Sequence, residues 1–201
     1  MLSLDVGFDQ TQIDRARRVL SGIPKGAEKA LCRALNKAVA KAKTETVRSI
    51  CKEYSVKSSA VRKGLKVIKA TYGNLTATIL ETGSPMELMA FAVKPKKPAS
   101  MKGKTADQRQ KVVVGVSFNT RKTLPHAFVA KMQNGHIGIY TRERPAKGPR
   151  HGLPIRQRYT TSVPQMMKNA RVLDRISEQA RQVMTKELDR QVSLLLGGKI
   201  S

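Results

Sequence analysis

Three histidines, His126, His136 and His151, are the side chains of this sequence best suited to binding a metal ion. Their spacings of ten and fifteen residues do not match the i, i+4 spacing that puts two ligands on one face of a helix. No cysteine lies near them in the sequence, and acidic residues are almost absent from this part of the chain. We therefore predict structural roles for the histidines, and no metal or cofactor.

The scarcity of carboxylates also limits the reactions that this chain could catalyse. Between Leu88 and Leu173 the only acidic residues are Asp107 and Glu143, whereas glycoside hydrolysis and Mg²⁺ binding both need several carboxylate oxygens close together. The sequence contains no Gly-x-Ser-x-Gly elbow, no phosphate-binding Gly-x4-Gly-Lys-Ser/Thr loop and no dinucleotide-binding glycine motif. We predict that the protein is not an enzyme.

Lysine and arginine supply a different chemistry, the attraction of phosphate and carboxylate groups. The chain has 39 Lys and Arg against 14 Asp and Glu, a formal net charge of +25, and eighteen of the basic residues lie between Leu88 and Leu173. A field of this sign attracts phosphate backbones or acidic protein faces. The residues expected to make assembly or phosphate contacts are Lys94, Lys96, Lys97, Lys102, Lys104, Arg109, Lys111, Arg142, Arg144, Lys147 and Arg150.

Seven of these basic residues lie in one segment, residues 94–111, which contains a single Asp. A segment so rich in charge, Pro and Gly cannot bury enough apolar area to offset the entropy lost on ordering. We predict a mobile basic arm that becomes ordered on contact with an acidic protein surface or with DNA phosphates, and the sequence leaves both partners open. A second irregular basic passage is expected over residues 142–158.

Helical periodicity predicts the elements that frame these segments. A short helix is expected over residues 11–21, a long amphipathic helix from Lys25 to about Glu53, and a C-terminal helix over residues 162–196. We expect residues 1–10 to form a flexible N-terminus. The lysines and arginines of the long N-terminal helix step by four residues, so we expect them to wind round it as a solvated stripe.

Two alternating segments predict β-hairpins, with turns at Gly73-Asn74 and Asn134-Gly135. In the first, Ile68 would lie opposite Ile79. In the second, Ala130 would lie opposite Ile139, and one apolar face would be formed by Phe128, Ala130, Met132, Ile137 and Ile139. Two more strands are expected, over residues 88–94 and 111–118.

These elements predict an α+β fold, with an antiparallel sheet of about five or six strands packed against the long N-terminal and C-terminal helices and interrupted by the basic loop insertion. We expect residues 1–201 to form a single domain.

Cys32 and Cys51 lie in one helical pattern, nearly 30 Å apart at ~1.5 Å per residue, so they should be free thiols. No segment is apolar enough to cross a membrane.

Four short motifs, in this order and spacing, resemble the minor tail protein Z family of lambda-like phages and prophages. They are Pro125-His126-Ala127-Phe128, then Asn134-Gly135-His136 with Gly138, then Leu153-Pro154-Ile155, and finally Ser162-Val163-Pro164-Gln165-Met166-Met167. The resemblance extends more weakly over nearly the whole chain. It implies a virion structural protein that completes the tail at its head-proximal end, with a fold related to neck and head-tail joining proteins.

The resemblance also implies partners and a location. We expect a ring of identical copies, because a closed ring ends heterologous contacts without forming filaments, and the tail axis favours a hexamer. Its neighbours would be the tail terminator or tail tube and the head-tail connector, with DNA contacted only through phosphates and no membrane. The protein would be assembled in the host bacterial cytoplasm and reside in the virion tail or neck.

Charge alone leaves one alternative open, a sequence-independent nucleic-acid-binding protein of ribosomal or nucleoid type. Aromatic residues make up 4% of the chain and are scattered, so bases would find no stacking platform. Any nucleic-acid contact would therefore be to the phosphate backbone, without sequence readout. Co-purified nucleic acid and a steep salt dependence would favour this alternative over an assembly protein.

Overall fold

The computed structural model describes residues 2–81, 83–99, 111–142 and 154–197. Its helices are α1 (Gln10–Val19), α2 (Gly26–Glu53), α3 (Ser58–Gly64), α4 (Val163–Met167) and α5 (Ala170–Gly197). Its strands are β1 (Leu2–Val6), β2 (Leu65–Ile68), β3 (Ala77–Glu81), β4 (Pro85–Glu87), β5 (Ala92–Lys94), β6 (Val112–Gly115), β7 (Arg121–Leu124), β8 (Ala127–Lys131), β9 (Ile137–Arg142), β10 (Ile155–Gln157) and β11 (Tyr159–Ser162).

The fold is α+β, as predicted, but the single sheet of five or six strands is wrong. The described strands form four small antiparallel sheets, with the orders β1-β3-β2, β5-β6-β7, β10-β9-β8 and β11-β4. The strands have only three to six residues. A 3-10 turn at Leu88–Ala90, for example, occupies the first part of the strand expected over residues 88–94, so that β5 covers only its end. Such short ladders do not extend into one continuous sheet.

The chain divides into two compact units. Unit 1 consists of Met1–Ile50, Val61–Gly83 and Pro164–Ser201, and unit 2 consists of Cys51–Ala60 and Ser84–Val163. The single-domain expectation stays a prediction, since compactness does not measure independent folding.

Unit 1 is built around α2, which begins within two residues of its predicted start and ends at its predicted end. Fifteen of its 28 residues are buried, many of them alanines whose small side chains let neighbouring elements approach closely. One core cluster combines Ala30, Leu31 and Ala34 of α2 with Leu20, which follows α1, and Leu188 of α5. Helix α1 starts at a capping box in which the Asp9 carboxylate accepts a hydrogen bond from a backbone N–H.

The sheet of unit 1 includes a strand in the segment expected to be flexible. Residues Leu2–Val6 form β1, which pairs with β3 so that Val6 lies opposite Ala77. Strand β3 buries Ala77, Ile79 and Glu81 on alternate positions, as expected for a strand with one face on the core.

The first predicted hairpin exists, but its register differs by one residue. Thr71 and Asn74 exchange backbone hydrogen bonds around Tyr72-Gly73, and Ile68 lies opposite Thr78 instead of Ile79. Ile68 is therefore exposed. A shift of one residue moves every side chain of a strand to the other face.

The C-terminal helical segment, expected to be continuous over residues 162–196, is divided at Lys168-Asn169. The short α4 ends before this point and α5 begins after it. The Asn169 side-chain oxygen accepts a hydrogen bond from the Arg171 N–H at 3.1 Å, which provides a new helix cap. The hydrophobic spacing of three and four residues continues across this break, so periodicity alone does not detect it.

Unit 2 contains two three-stranded sheets that share one apolar core. The core combines Val93, Val112 and Val114 of the β5-β6-β7 sheet with Val129 and Ile139 of the β10-β9-β8 sheet. The Asn134-Gly135 turn is present, although the hairpin register again differs from the prediction.

The loop of this second hairpin has three residues, because the Met132 N–H donates to the His136 carbonyl at 2.8 Å and Gly135 adopts a φ of +80°. Phe128 consequently pairs with Tyr140, and Ala130 with Gly138. The predicted common face is wrong: Val129 and Ile139 face the core, while Phe128 and Ala130 lie on the opposite face.

Candidate functional site

The basic residues expected to make contacts fall into a described set and a set outside the described residues. Lys94, Lys96, Lys97 and Lys111 are all exposed, and Arg142 is exposed at the end of β9. The others, Lys102, Lys104, Arg109, Arg144, Lys147 and Arg150, lie outside the described residues. The structure therefore tests the surroundings of five of the eleven residues.

The structure brings both ends of the basic segment 94–111 to the same end of one sheet. Strands β5 and β6 are antiparallel neighbours, and Lys94 at the end of β5 lies opposite Val113 near the start of β6. Lys111 immediately precedes β6. The segment is thus a long connection between two adjacent strands, and its basic flanks project from one place on unit 2.

Arg142 is held differently from these lysines. Its guanidinium carbon lies 5.4 Å from the centre of the Phe128 ring, a cation–π distance, and the Phe128 and Tyr140 ring centres are 6.3 Å apart. Arg142 also pairs through its backbone with Ile155 on β10. Its positive charge is therefore partly engaged by an aromatic face within the sheet, so it is less available to a partner than Lys94 or Lys111.

His136 belongs to a polar cluster with Glu87 and Gln157. Its Nε2 atom lies 3.6 Å from the Glu87 carboxylate and 3.1 Å from the Gln157 side-chain nitrogen. The neighbouring Tyr140 is buried, and burial, with the negative charge of Glu87 and the nearby Tyr159, raises the pKa of its hydroxyl. The cluster links strands from two sheets of unit 2.

The other histidines do not join this cluster. His126 is exposed in the two-residue connection between β7 and β8, with a positive φ of 57°, and His151 lies outside the described residues. Across the described ranges, no group of three or more His, Cys, Asp or Glu side chains is placed to hold a metal ion.

One basic surface of unit 1 lies outside the residues that were predicted to make contacts. The lysines and arginines of α2 were expected to wind round the helix as a solvated stripe, and burial leaves a stripe of this helix exposed. On this stripe lie Arg33, Lys37, Lys41 and Arg48, which we call the α2 ridge. The signal was present in the sequence as the row of alanines, leucines and Val39 that forms the buried side of this helix.

Part of the α2 ridge is tied to a buried carboxylate on α5. Lys37 Nζ lies 3.0 Å from Glu187, and Arg190 and Gln191 also donate hydrogen bonds to that carboxylate. The hydrogen bond from Arg190 is the largest cause that lowers the pKa of Glu187 to about 2, while burial opposes it and Gln191 and Lys37 add to it. This network joins α2 to α5, so it stabilises the fold.

Unit 2 has a groove that no motif in the sequence indicates. It has a volume of about 400 Å³ and lies between the β6-β7 face and the segment leading into β11. Its apolar lining comes from Leu88, Val114, Val116 and Leu124, its hydroxyl lining from Ser117, Thr120, Tyr159 and Thr160, and its charged lining from Lys122 and Arg158. None of the described residues that line it is acidic.

The cysteines have structural surroundings, and both are free, as predicted. Cys32 is buried and its thiol donates to the Ala70 carbonyl at 3.3 Å. Burial raises the pKa of the Cys51 thiol, which disfavours the reactive thiolate.

Within the described part of the chain, no helix has the length and apolarity needed to span a membrane.

Comparison with known proteins gives one family. Neither a search of curated proteins nor a search of solved structures finds a match. The model of the family described as prophage minor tail protein Z (GPZ) matches residues 12–197. That range includes the basic segments, the Asn134-Gly135 hairpin and both long helices, and it confirms the resemblance carried by the four short motifs. The chain belongs to the prophage minor tail protein Z family and is a structural protein of the phage tail.

Proposed function

We propose that this protein completes the phage tail at its head-proximal end, where it forms a ring and joins the tail tube to the head connector. The observation that carries the proposal is the family match over residues 12–197, because it makes the chain a minor tail protein along nearly its whole length. What we propose beyond this match is the position within the tail, the ring symmetry and the partners.

The outer strands of two sheets support self-association. Strands β1 and β2 are the outer strands of one three-stranded sheet, and β5 and β7 are the outer strands of another. An edge strand presents backbone groups that can pair with a neighbouring chain. Ile68 on β2 is also exposed, at 52% of its surface, as is Tyr72 at 57%. A closed ring, with six copies as the leading expectation, would use such contacts without forming filaments.

The uneven charge supports docking to another component. Lys94, Lys96, Lys97 and Lys111 are exposed at the two ends of the segment expected to act as a basic arm. We propose that this arm contacts an acidic protein face of the adjoining ring or the phosphates of DNA. The protein would then act in the virion tail or neck, with a tail terminator or tube protein and a head-tail connector as its neighbours.

Virion assembly gives a direct test. A prophage lacking this gene should produce tails that fail to join heads, and the wild-type gene supplied in trans should restore joined particles, counted by electron microscopy. Native mass spectrometry of the purified protein should give a defined oligomer. A chain that is monomeric at every concentration and absent from purified virions would contradict the proposal.

The alternative, a sequence-independent nucleic-acid-binding protein, has the α2 ridge as its favouring observation, since four basic side chains lie exposed along one helix. Two of them already have acidic partners, Lys37 with Glu187 and Arg48 with Glu45 at 3.8 Å. Duplex binding with a steep salt dependence, together with absence from virions, would favour this alternative.

A further inference from the structure

We infer that the groove of unit 2 binds an acidic segment of a partner protein that presents an apolar side chain. The inference deepens the proposed function and rests on it for the origin of the partner, a neighbouring tail or head protein. It names a surface separate from the basic segment 94–111, since none of the groove residues lies in that segment.

Two buried residues and two partly buried residues of the unit 2 core form the floor of the groove. Leu88 and Val114 belong to the buried core cluster, and Val116 and Leu124 pack against it as partly buried residues. These four side chains also line the groove. An apolar side chain entering the groove would bury further apolar surface, worth ~25 cal/mol per Å², and the volume of about 400 Å³ lies within the range of binding clefts.

The charged residues that line the groove favour a negatively charged ligand. Lys122 and Arg158 are the charged residues among those lining the groove, both are exposed, and neither has an ion-pair partner among the described residues. Four hydroxyl-bearing residues complete the polar lining and can donate hydrogen bonds to carboxylates. Carboxylates flanking an apolar side chain would thus meet two cations and several donors.

Charge also argues against occupants from this chain. Segment 100–110 has three basic residues and one acid, and segment 143–153 likewise has three basic residues and one acid. Either would bring positive charge toward Lys122 and Arg158. The described part of unit 2 has twelve basic residues against two acids, so unit 2 of a second copy would be repelled as well. An acidic partner protein is the complementary choice.

The probe for this groove is a fluorescent synthetic peptide in which leucines alternate with glutamates. Fluorescence anisotropy should show saturable binding to the intact full-length protein. Replacing leucine by alanine, or glutamate by lysine, should abolish saturation in the same concentration range. A benzophenone at one leucine position should crosslink to residues 114–124 or 158–160, as mapped by mass spectrometry.

The test variant is Lys122→Glu with Arg158→Glu, and the matched control is Lys57→Glu with Lys131→Glu. The control pair has the same charge change at exposed lysines of unit 2 that do not line the groove. We expect the groove pair to weaken peptide binding about tenfold or more, and the control pair less than about twofold, because close charge pairs contribute more than general attraction. Lys122→Ser with Arg158→Ser repeats the test if the reversal perturbs the fold.

Three results would overturn the inference. Equal losses in the two variant pairs would mean general attraction to a basic protein. Loss of a defined oligomer in the groove pair, without loss of peptide binding, would make a second copy the occupant. Duplex DNA binding that depends on Lys122 and Arg158, with no saturable peptide binding, would make phosphate the ligand. Failure of the proposed function would appear separately, as absence of the wild-type protein from virions.

Discussion

Unit 1 carries ten acidic residues against twenty-one basic ones, and unit 2 carries four against eighteen. In unit 1, Glu45, Glu81 and Glu187 are buried, and Asp9 caps a helix. Of these carboxylates, Glu187 joins α2 to α5, Asp9 caps α1 and Glu81 accepts a hydrogen bond from the Gly83 N–H beyond the end of β3.

Unit 2 is stabilised in a different way. Its core is formed by two small sheets that contribute mainly valines and Ile139, and its described carboxylates are Glu53 and Glu87. Few carboxylates neutralise its lysines and arginines, so they form a field directed at other molecules. Removing buried carboxylates should therefore destabilise unit 1 more than unit 2. Removing lysines and arginines from unit 2 should instead affect assembly.

The largest expected effect is the loss of the Glu187 carboxylate in unit 1. Glu187→Ala should reduce the free energy of unfolding by about 2 to 3 kcal/mol, because it removes several charge-assisted hydrogen bonds to a buried group. Lys37 and Arg190 are more than half exposed and regain water, which keeps the loss below that of a fully buried pair. Urea denaturation measures it.

The control for this variant is Asp189→Ala, an exposed acid on the same helix. It should change stability by no more than ~0.5 kcal/mol. Equal losses in the free energy of unfolding would show that buried and exposed acids of unit 1 contribute alike, and would contradict the contrast drawn between the two units.

The second effect is the pH dependence of the same network. The pKa of Glu187 falls to about 2 in the folded protein from its ordinary value of 4.5. Its contribution is therefore fully present above pH 4.5 and is lost as the pH falls toward 2. The stability difference between the wild type and Glu187→Gln should shrink over that window, as measured by denaturation at several pH values. A constant difference would show that the charge is not the stabilising feature.

The third effect tests packing in unit 2. A Cβ atom added at Gly138 would lie 2.9 Å from the Tyr140 ring. Gly138→Ala should therefore cost about 1 to 2 kcal/mol, since buried neighbours must shift. In the register expected from the sequence, Gly138 would instead share the polar face with Lys131 and tolerate alanine.

The Gly135→Ala variant measures backbone strain alone, whereas Gly138→Ala measures steric crowding. No atom lies within 4 Å of a Cβ atom added there, but φ is +80°. The cost should be about 1 kcal/mol and purely conformational. If Gly138→Ala cost less than Gly135→Ala, the hairpin register described above would be contradicted. Thermal denaturation of both variants decides the point.

A smaller effect on stability is expected for the basic segment of unit 2. Changing Lys96, Lys97, Lys102 and Lys104 to Ser should preserve thermal stability, since surface changes usually stay within ~0.5 kcal/mol each. Joining of heads to tails should fall, and more so as ionic strength rises, because the attraction left is screened over ~8 Å at physiological salt. Full infectivity across a salt series would mean that the segment has no docking role.

The smallest effect is expected for the histidines. Replacing His126, His136 and His151 together by Gln should leave assembly largely intact, with a modest loss of stability from the contacts of His136 to Glu87 and Gln157. Elemental analysis of the wild type and the triple variant checks for metal. A bound metal lost in the variant would show that the histidines are ligands.

Helix positions could be predicted because their signals are local. The apolar spacing of α2 and α5 is visible in the sequence. Both hairpins were located by their turn residues, yet both registers were wrong by one residue. The first hairpin keeps a two-residue loop, but at Tyr72-Gly73, one residue before the predicted turn. In the second hairpin the register depends on whether two or three residues form the loop, and Gly135 adopts the positive φ of the three-residue loop.

Sheet order and the groove could not be predicted, because both depend on residues far apart in the sequence. Strand β1 pairs with β3 more than seventy residues later, and the groove combines Leu88, the stretch from Val114 to Leu124, and Arg158 to Thr160. Composition identified the basic residues as a set, and their contacts with partners stay a prediction. Which of them are exposed, as on the α2 ridge, depends on tertiary packing.

The packing of Leu188 into the same core as Ala30 and Leu31 has a consequence for synthesis on the ribosome. Arg33 and its hydrogen-bond partner Gln191 are 158 residues apart, so at ~5–20 residues per second about 8 to 32 seconds separate their translation. During that interval α5 has not been synthesised and cannot cover the apolar side of α2. A chain released early would expose that side to chaperones and proteases, so only chains translated through α5 would complete this core.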